Sequence, residues 1–202
     1  MQMPQTLETR WCEAVATGEL GLWDLRPELE TVHHSPPWKR RLGFPDPQAA
    51  DSTHFWRCRV HPEDLGGMLE AMRAHARGDR PLYEASFRLR SNGSGYRLLH
   101  SRGRIVARDA QGRVERMVGT MIDLTGRAFT PRSGLAEETH EAPQEAPGAP
   151  LPLHLVLCPA QGAGPPEAAS QRLQQERGSL LAAMEDLLHA ALAELDEQPR
   201  ES

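Results

Sequence analysis

Histidine and cysteine are the side chains here with the most chemistry to offer, nine and three respectively. His54, Cys58 and His61 form an H-x3-C-x2-H spacing, with donor types that a transition metal accepts. A fourth ligand is missing, and His61 has a second reading, because it directly precedes Pro62, Glu63 and Asp64 as the N-cap of a helix. No metal ligand is therefore assigned. Cys12, Cys58 and Cys158 are odd in number, far apart and in no CxxC pairing, so they indicate neither a disulfide framework nor a zinc ribbon and suit a reducing compartment. Arg102, Arg104 and Arg108 recur along one run; they could meet an anionic partner or form the solvated face of a half-exposed sheet. There is no GxSxG, no GxxxxGK[ST] and no HExxH, so no catalytic residue is assigned.

Those side chains need elements to hold them, and composition says where a core can form. All ten aromatic residues lie between Trp11 and Phe129. Large rigid side chains supply most of the buried apolar area, so the domain is placed at 1–128. Charge divides at the same boundary: residues 1–128 carry 19 Lys/Arg against 16 Asp/Glu, and residues 129–202 carry 4 against 12. The net −5 belongs to the C-terminal part, and no concentrated basic field marks a nucleic-acid partner. The N-terminus has neither a basic nor an apolar leader region, and the longest apolar run, 151–158, is interrupted by Pro152 and His154. No membrane is expected and a cytoplasmic setting is.

Leu7, Trp11 and Val15 give an opening helix before Gly18; residues 19–34 read as two short strands with a turn at Pro27-Glu28; Ser35 to Gly43 reads as one or two helical turns. His61-Pro62-Glu63-Asp64 starts a longer helix with an apolar stripe of Leu65, Leu69 and Met72, ended by Gly78. The period then changes to two. Strands are predicted at Tyr83–Arg90, Tyr96–Ala107 and Val114–Leu124, joined by Asn92-Gly93-Ser94-Gly95 and Asp109-Ala110-Gln111-Gly112. This antiparallel meander needs helices over its apolar face. Residues 129–167 read as a Pro/Ala/Glu-rich linker with a short β-prone run at 153–158. Residues 168–197 read as an amphipathic helix that Gly178-Ser179 could split.

The segments GLWDL (21–25), WKRRLGF (38–44), FWRCRVHPEDL (55–65), FRLR (87–90), GYRLLHSRGRIVARDAQGRVERMVGT (95–120) and IDLT (122–125) resemble, in order, the landmarks of the PAS family with its PAC segment. The resemblance covers roughly 8–128. It implies an α+β fold: a five-stranded antiparallel sheet with helices packed on one face around a small hydrophobic pocket. It also implies a sensory module for a small ligand or a signalling protein partner, often within a homodimer. Alternation and the resemblance together suggest Trp23, Trp38, Leu42, Phe55, Leu69, Met72, Phe87, Leu89, Leu99 and Met121 as pocket residues.

Relatives that bind flavin photochemically use a cysteine in Asn-Cys-Arg-Phe-Leu-Gln, and Trp-Arg-Cys-Arg-Val around Cys58 does not match. Haem-binding relatives use a helical histidine, a place His75 or His100 could take. No motif supports either cofactor, and none is assigned. The resulting expectation is a non-catalytic module that binds a small apolar ligand or a protein, with its last helix used for self-association or docking. The alternative is an accessory part of a histidine-kinase phosphorelay with His189 as acceptor, although the residues after His189 do not continue a kinase histidine box.

Overall fold

The computed structural model describes residues 6–44, 49–93, 95–125, 151, 153–158 and 167–197. Six antiparallel strands form one sheet in the order β3-β2-β1-β6-β5-β4. β1 (Leu20–Arg26) and β2 (Thr31–His34) are joined by a single 3-10 turn at Pro27–Leu29. β4 (Tyr83–Arg90), β5 (Tyr96–Arg108) and β6 (Val114–Asp123) are the meander, and β6 closes against β1 with Trp23 opposite Gly119. The strand beyond the expected five is β3 (Asp51–Ser52), bonded to Thr31 and Val32. Two residues cannot display a period of two, which is why alternation does not reveal it.

The helices are α1 (Leu7–Thr17), α2 (Pro36–Arg41), α3 (Thr53–Arg57), α4 (Pro62–Arg77), α5 (Leu153–Leu157) and α6 (Glu167–Glu197). α4 starts as its sequence dictates: His61 Nδ1 accepts the Glu63 N–H at 3.3 Å, and Pro62 occupies a position whose N–H would have no helical partner. It ends at Gly78, whose φ of 85° suits a residue without Cβ. Asp64 in its first turn accepts from the Arg88 guanidinium and from Arg88 N at 2.8 Å, which fixes α4 on β4 and holds the Asp64 carboxyl well below the usual carboxylate range.

The inner sheet face carries Trp23, Leu99, Met117 and Met121, and α2, α3 and α4 cover it. The outer face carries Leu20, Leu22, Val118 and Ile122, and α1, α5 and α6 cover that one. The sheet with α2, α3 and α4 on one face is as the resemblance implies, and α1, α5 and α6 add a second layer on the other. The reason is visible in β6, where residues 116–123 are buried on both sides, the signature of a strand with a layer above and below it.

Two further expectations change. The run at 153–158 is helical rather than β: Leu153, Val156 and Leu157 stand at i, i+3 and i+4 and are all buried in the outer cluster. Spacing that fills one helical side outweighs β-propensity when a groove receives that side. α6 runs unbroken through Gly178, because Arg177 is held by Glu8 and the Leu157 carbonyl while Leu180 is buried beside it. The remainder of the expected linker, 129–150, 152 and 159–166, lies outside the described residues.

Candidate functional site

Between the inner sheet face and α3–α4 lies a cavity of about 110 Å³. Of the ten residues suggested by sequence, Trp23, Leu69, Met72, Phe87, Leu89 and Met121 line it. The other four are elsewhere. Trp38 is buried flat under Gly21, where a Cβ would stand 2.6 Å from the indole. Leu42 and Leu99 fill the same cluster away from the opening. Phe55 stacks edge-on with Phe44 at 5.6 Å, under the Arg59 guanidinium at 3.6 Å. Alternation reports which face a residue takes, and along that face only packing decides which residues border empty space.

Sequence reasoning missed His34, Trp56, Tyr83 and Ser101, all of which border the cavity. Three of them give it polar points. Trp23 Nε1 donates to Ser101 Oγ and to the Thr120 carbonyl, each at 3.1 Å, and so ties the cavity wall to β5 and β6. Tyr83 meets Trp23 edge-on at 5.9 Å. Burial pushes the Tyr83 phenol up, and its hydrogen bond with Ser101 opposes that rise. His34 is 6% exposed, tilts against Trp56 at 4.4 Å, and its Nδ1 has no hydrogen-bond partner. A buried polar atom left unpaired costs roughly 1–3 kcal/mol, so a ligand that supplies the missing bond gains that much.

Burial, then the charges of Lys39 and His33, lowers the His34 pKa to about 3 from 6.5 in the unfolded chain. The histidine is therefore neutral at pH 7 in both states. Below pH 6.5 the unfolded chain takes a proton that the folded chain refuses, so stability present above 6.5 is lost toward pH 3. The slope reaches about 1.4 kcal/mol per pH unit. His154 on α5, lowered to about 4 by burial, acts in the same direction. Of the fall in urea midpoint between pH 7 and pH 5, an equivalent of about 2 kcal/mol belongs to His34 and should be missing in His34→Leu. Identical pH slopes for the two proteins would refute the assignment.

The other residues singled out for chemistry are structurally engaged. His75 Nε2 accepts from Ile105 N at 3.2 Å, so its Nδ1–H donates to the Arg80 carbonyl at 2.9 Å, pinning the end of α4 to β5. His100 lies on the outer sheet face against Glu194 and Glu84. Cys58 is exposed and His54 with it, and no metal-ligating cluster forms among the described residues. Neither the two candidate haem histidines nor Cys58 borders the cavity. A volume near 110 Å³, against the ~150 Å³ engineered cavity that admits benzene, does not fit a porphyrin or a flavin.

Arg102 and Arg104 meet carboxylates of this same chain. Arg104 pairs with Asp186, Arg102 with Glu194, and Arg116 binds Glu176 at 2.8 Å while gripping the fully buried Asp24 through two nitrogens. Arg108 instead donates to the carbonyls of Ala76 and Gly112. The acidic C-terminal part and the basic sheet, noticed as a charge division in sequence, are thus two sides of one internal contact.

The PAS-fold family model matches residues 31–121. No curated protein matches the chain in sequence. Among solved structures, the chain is similar to a sensory box histidine kinase/response regulator from Burkholderia thailandensis E264. Identity there is 29%, TM-score 0.48, and the match covers 57% of this chain and 85% of that one. It is also similar to the N-terminal domain of a diguanylate cyclase with PAS/PAC sensor from Marinobacter aquaeolei, at 23% identity and TM-score 0.45, over 52% of this chain and 95% of that one. Among the described residues no helix is long and apolar enough to cross a membrane. The central antiparallel sheet and its inner helices, together with the match over 31–121, identify that stretch of the chain as a PAS fold.

Proposed function

We propose that this PAS domain is a non-catalytic cytoplasmic sensor that holds one small, uncharged, largely apolar molecule and reports its presence to a signalling partner through the sheet and α6. The observation that carries this reading is a cavity with an almost wholly apolar wall, bordered by a neutral histidine that has one unpaired ring nitrogen. Size limits the ligand to a single ring or a short branched chain. His34 asks for one hydrogen-bonding group on it, and a lining that is apolar apart from His34, Thr53, Arg57, Tyr83 and Ser101 favours an uncharged molecule. Trp23 is the element that can transmit occupancy, since its ring borders the cavity while its N–H holds β5 and β6.

Calorimetric titration with phenol tests this. Binding is expected, weakened about tenfold in His34→Leu, which corresponds to the net worth of one hydrogen bond. It should be abolished in Leu69→Trp, which fills the cavity. No heat with phenol or benzene, together with no adduct in native mass spectra of the purified protein, would remove the small-molecule reading and leave recognition of a protein partner. Self-association through α6 would require that helix to leave the outer face, where its apolar side is already covered.

A further inference from the structure

Cys12 lies on α1 and Cys158 directly follows α5, 146 residues away, yet their Sγ atoms are 3.1 Å apart. A disulfide bond is about 2.05 Å long, so closing the gap needs a sulfur movement of roughly 1 Å. Both side chains are half-buried free thiols, and both border the outer cluster that fixes α6. Cys58, exposed and bonded to its own helix through the Phe55 carbonyl, has no such neighbour among the described residues.

We propose that Cys12 and Cys158 are a redox modification site, a dithiol that a hydroperoxide converts to a disulfide, latching the C-terminal segment onto α1 and the outer sheet face. One thiolate attacks the peroxide oxygen and becomes a sulfenic acid, while the O–O bond breaks and hydroxide leaves. The second thiol then attacks that sulfur, the S–OH bond breaks and water departs. In sum two thiols and one hydrogen peroxide give one disulfide and two waters; sulfur is oxidised and peroxide oxygen reduced. This connection goes beyond the ligand reading and does not depend on it.

The rate follows from the surroundings. Burial pushes both thiols above their ordinary value, which keeps the thiolate scarce at neutral pH, while Arg177 pulls each the other way. Oxidation should therefore be slow at pH 7 and faster at pH 9. Once formed, the bond closes a long loop, so its effect on the unfolded chain is large.

The test uses the full-length Cys58→Ser protein with one equivalent of hydrogen peroxide, followed by peptide mass spectrometry. A product lighter by two hydrogens, joining the Cys12 and Cys158 peptides and restored by dithiothreitol, is expected. A Tm higher by roughly 5–10 °C should accompany it. Replacing Cys158 with serine in that background should stop the reaction at a dimedone-reactive sulfenic acid on Cys12, the less strongly raised of the two thiols. Two alkylatable thiols after peroxide, or oxygen added with no cross-link, would overturn the site. A cross-link with unchanged Tm would overturn the latch.

Discussion

Deleting residues 167–202 should leave a chain that neither stays folded nor stays monomeric at neutral pH. α6 buries Leu180, Met184, Leu188, Ala191 and Leu192 against α1, α5 and the outer sheet face, and Leu187 is buried as well. At about 1.5–3 kcal/mol for each large side chain, the lost burial is on the order of 10 kcal/mol. That is comparable to the entire stability of an ordinary domain, roughly 5–15 kcal/mol. The deletion also strips Arg102, Arg104 and Arg116 of their α6 carboxylates, and Arg116 is held in a largely buried setting around Asp24. Uncovered Leu20, Leu22, Val118 and Ile122 would form a contiguous apolar patch. Light scattering should show aggregates, and dye binding should show exposed apolar surface. A helix whose main use is self-association predicts the opposite, a dimer that truncation turns into stable folded monomers with an unchanged urea midpoint. That outcome would displace α6 from the sheet in solution.

The same helix marks where the sequence stops being legible. Local signals were strong enough to place α4 by its cap and its terminal glycine, and to bound β4, β5 and β6 within a residue or two, because period, turn chemistry and capping are all encoded in neighbouring residues. The ordered PAS landmarks supplied the topology. What α6 covers is a different kind of fact. Its leucines announce an apolar side without saying which surface receives it, and only the charge contrast between the two parts of the chain hinted that the receiver was the sheet's own arginines. The Cys12–Cys158 contact was hidden for the same reason, since 146 intervening residues leave no spacing rule to read. In the cavity, Trp23 and Met121 could be found by alternation, whereas His34, at the end of the short β2, carries no pattern that separates a cavity-lining histidine from any other.

Gly119→Val is expected to destabilise the domain by on the order of 5 kcal/mol, enough to unfold it under mild conditions. Gly119 on β6 sits opposite Trp23 on β1 and Gly103 on β5, and the Trp23 ring lies over both glycines. A Cβ at 119 would stand 2.1 Å from the Arg102 carbonyl oxygen and 2.3 Å from Trp23 Cζ2, and one at 103 would stand 2.3 Å from the same ring. A flexible side chain could retreat from such a contact, but the Arg102 carbonyl belongs to the paired backbone of β5 and cannot move without breaking the sheet. Displacing Trp23 would in turn break its bonds to Ser101 and Thr120 and collapse one wall of the cavity. Shortening Trp23 to leucine in the Gly119→Ala background should restore only part of the loss, because it relieves the ring contact and leaves the carbonyl contact. Gly66 in α4 is the counterexample: nothing lies within 4 Å of a Cβ there, and Gly66→Ala should stabilise by up to about 1 kcal/mol through helix propensity. Chemical denaturation of the four proteins separates the cases. A Gly119→Val protein as stable as the parent would mean that Trp23 does not lie across β5 and β6, and the route from cavity to sheet would fall with it.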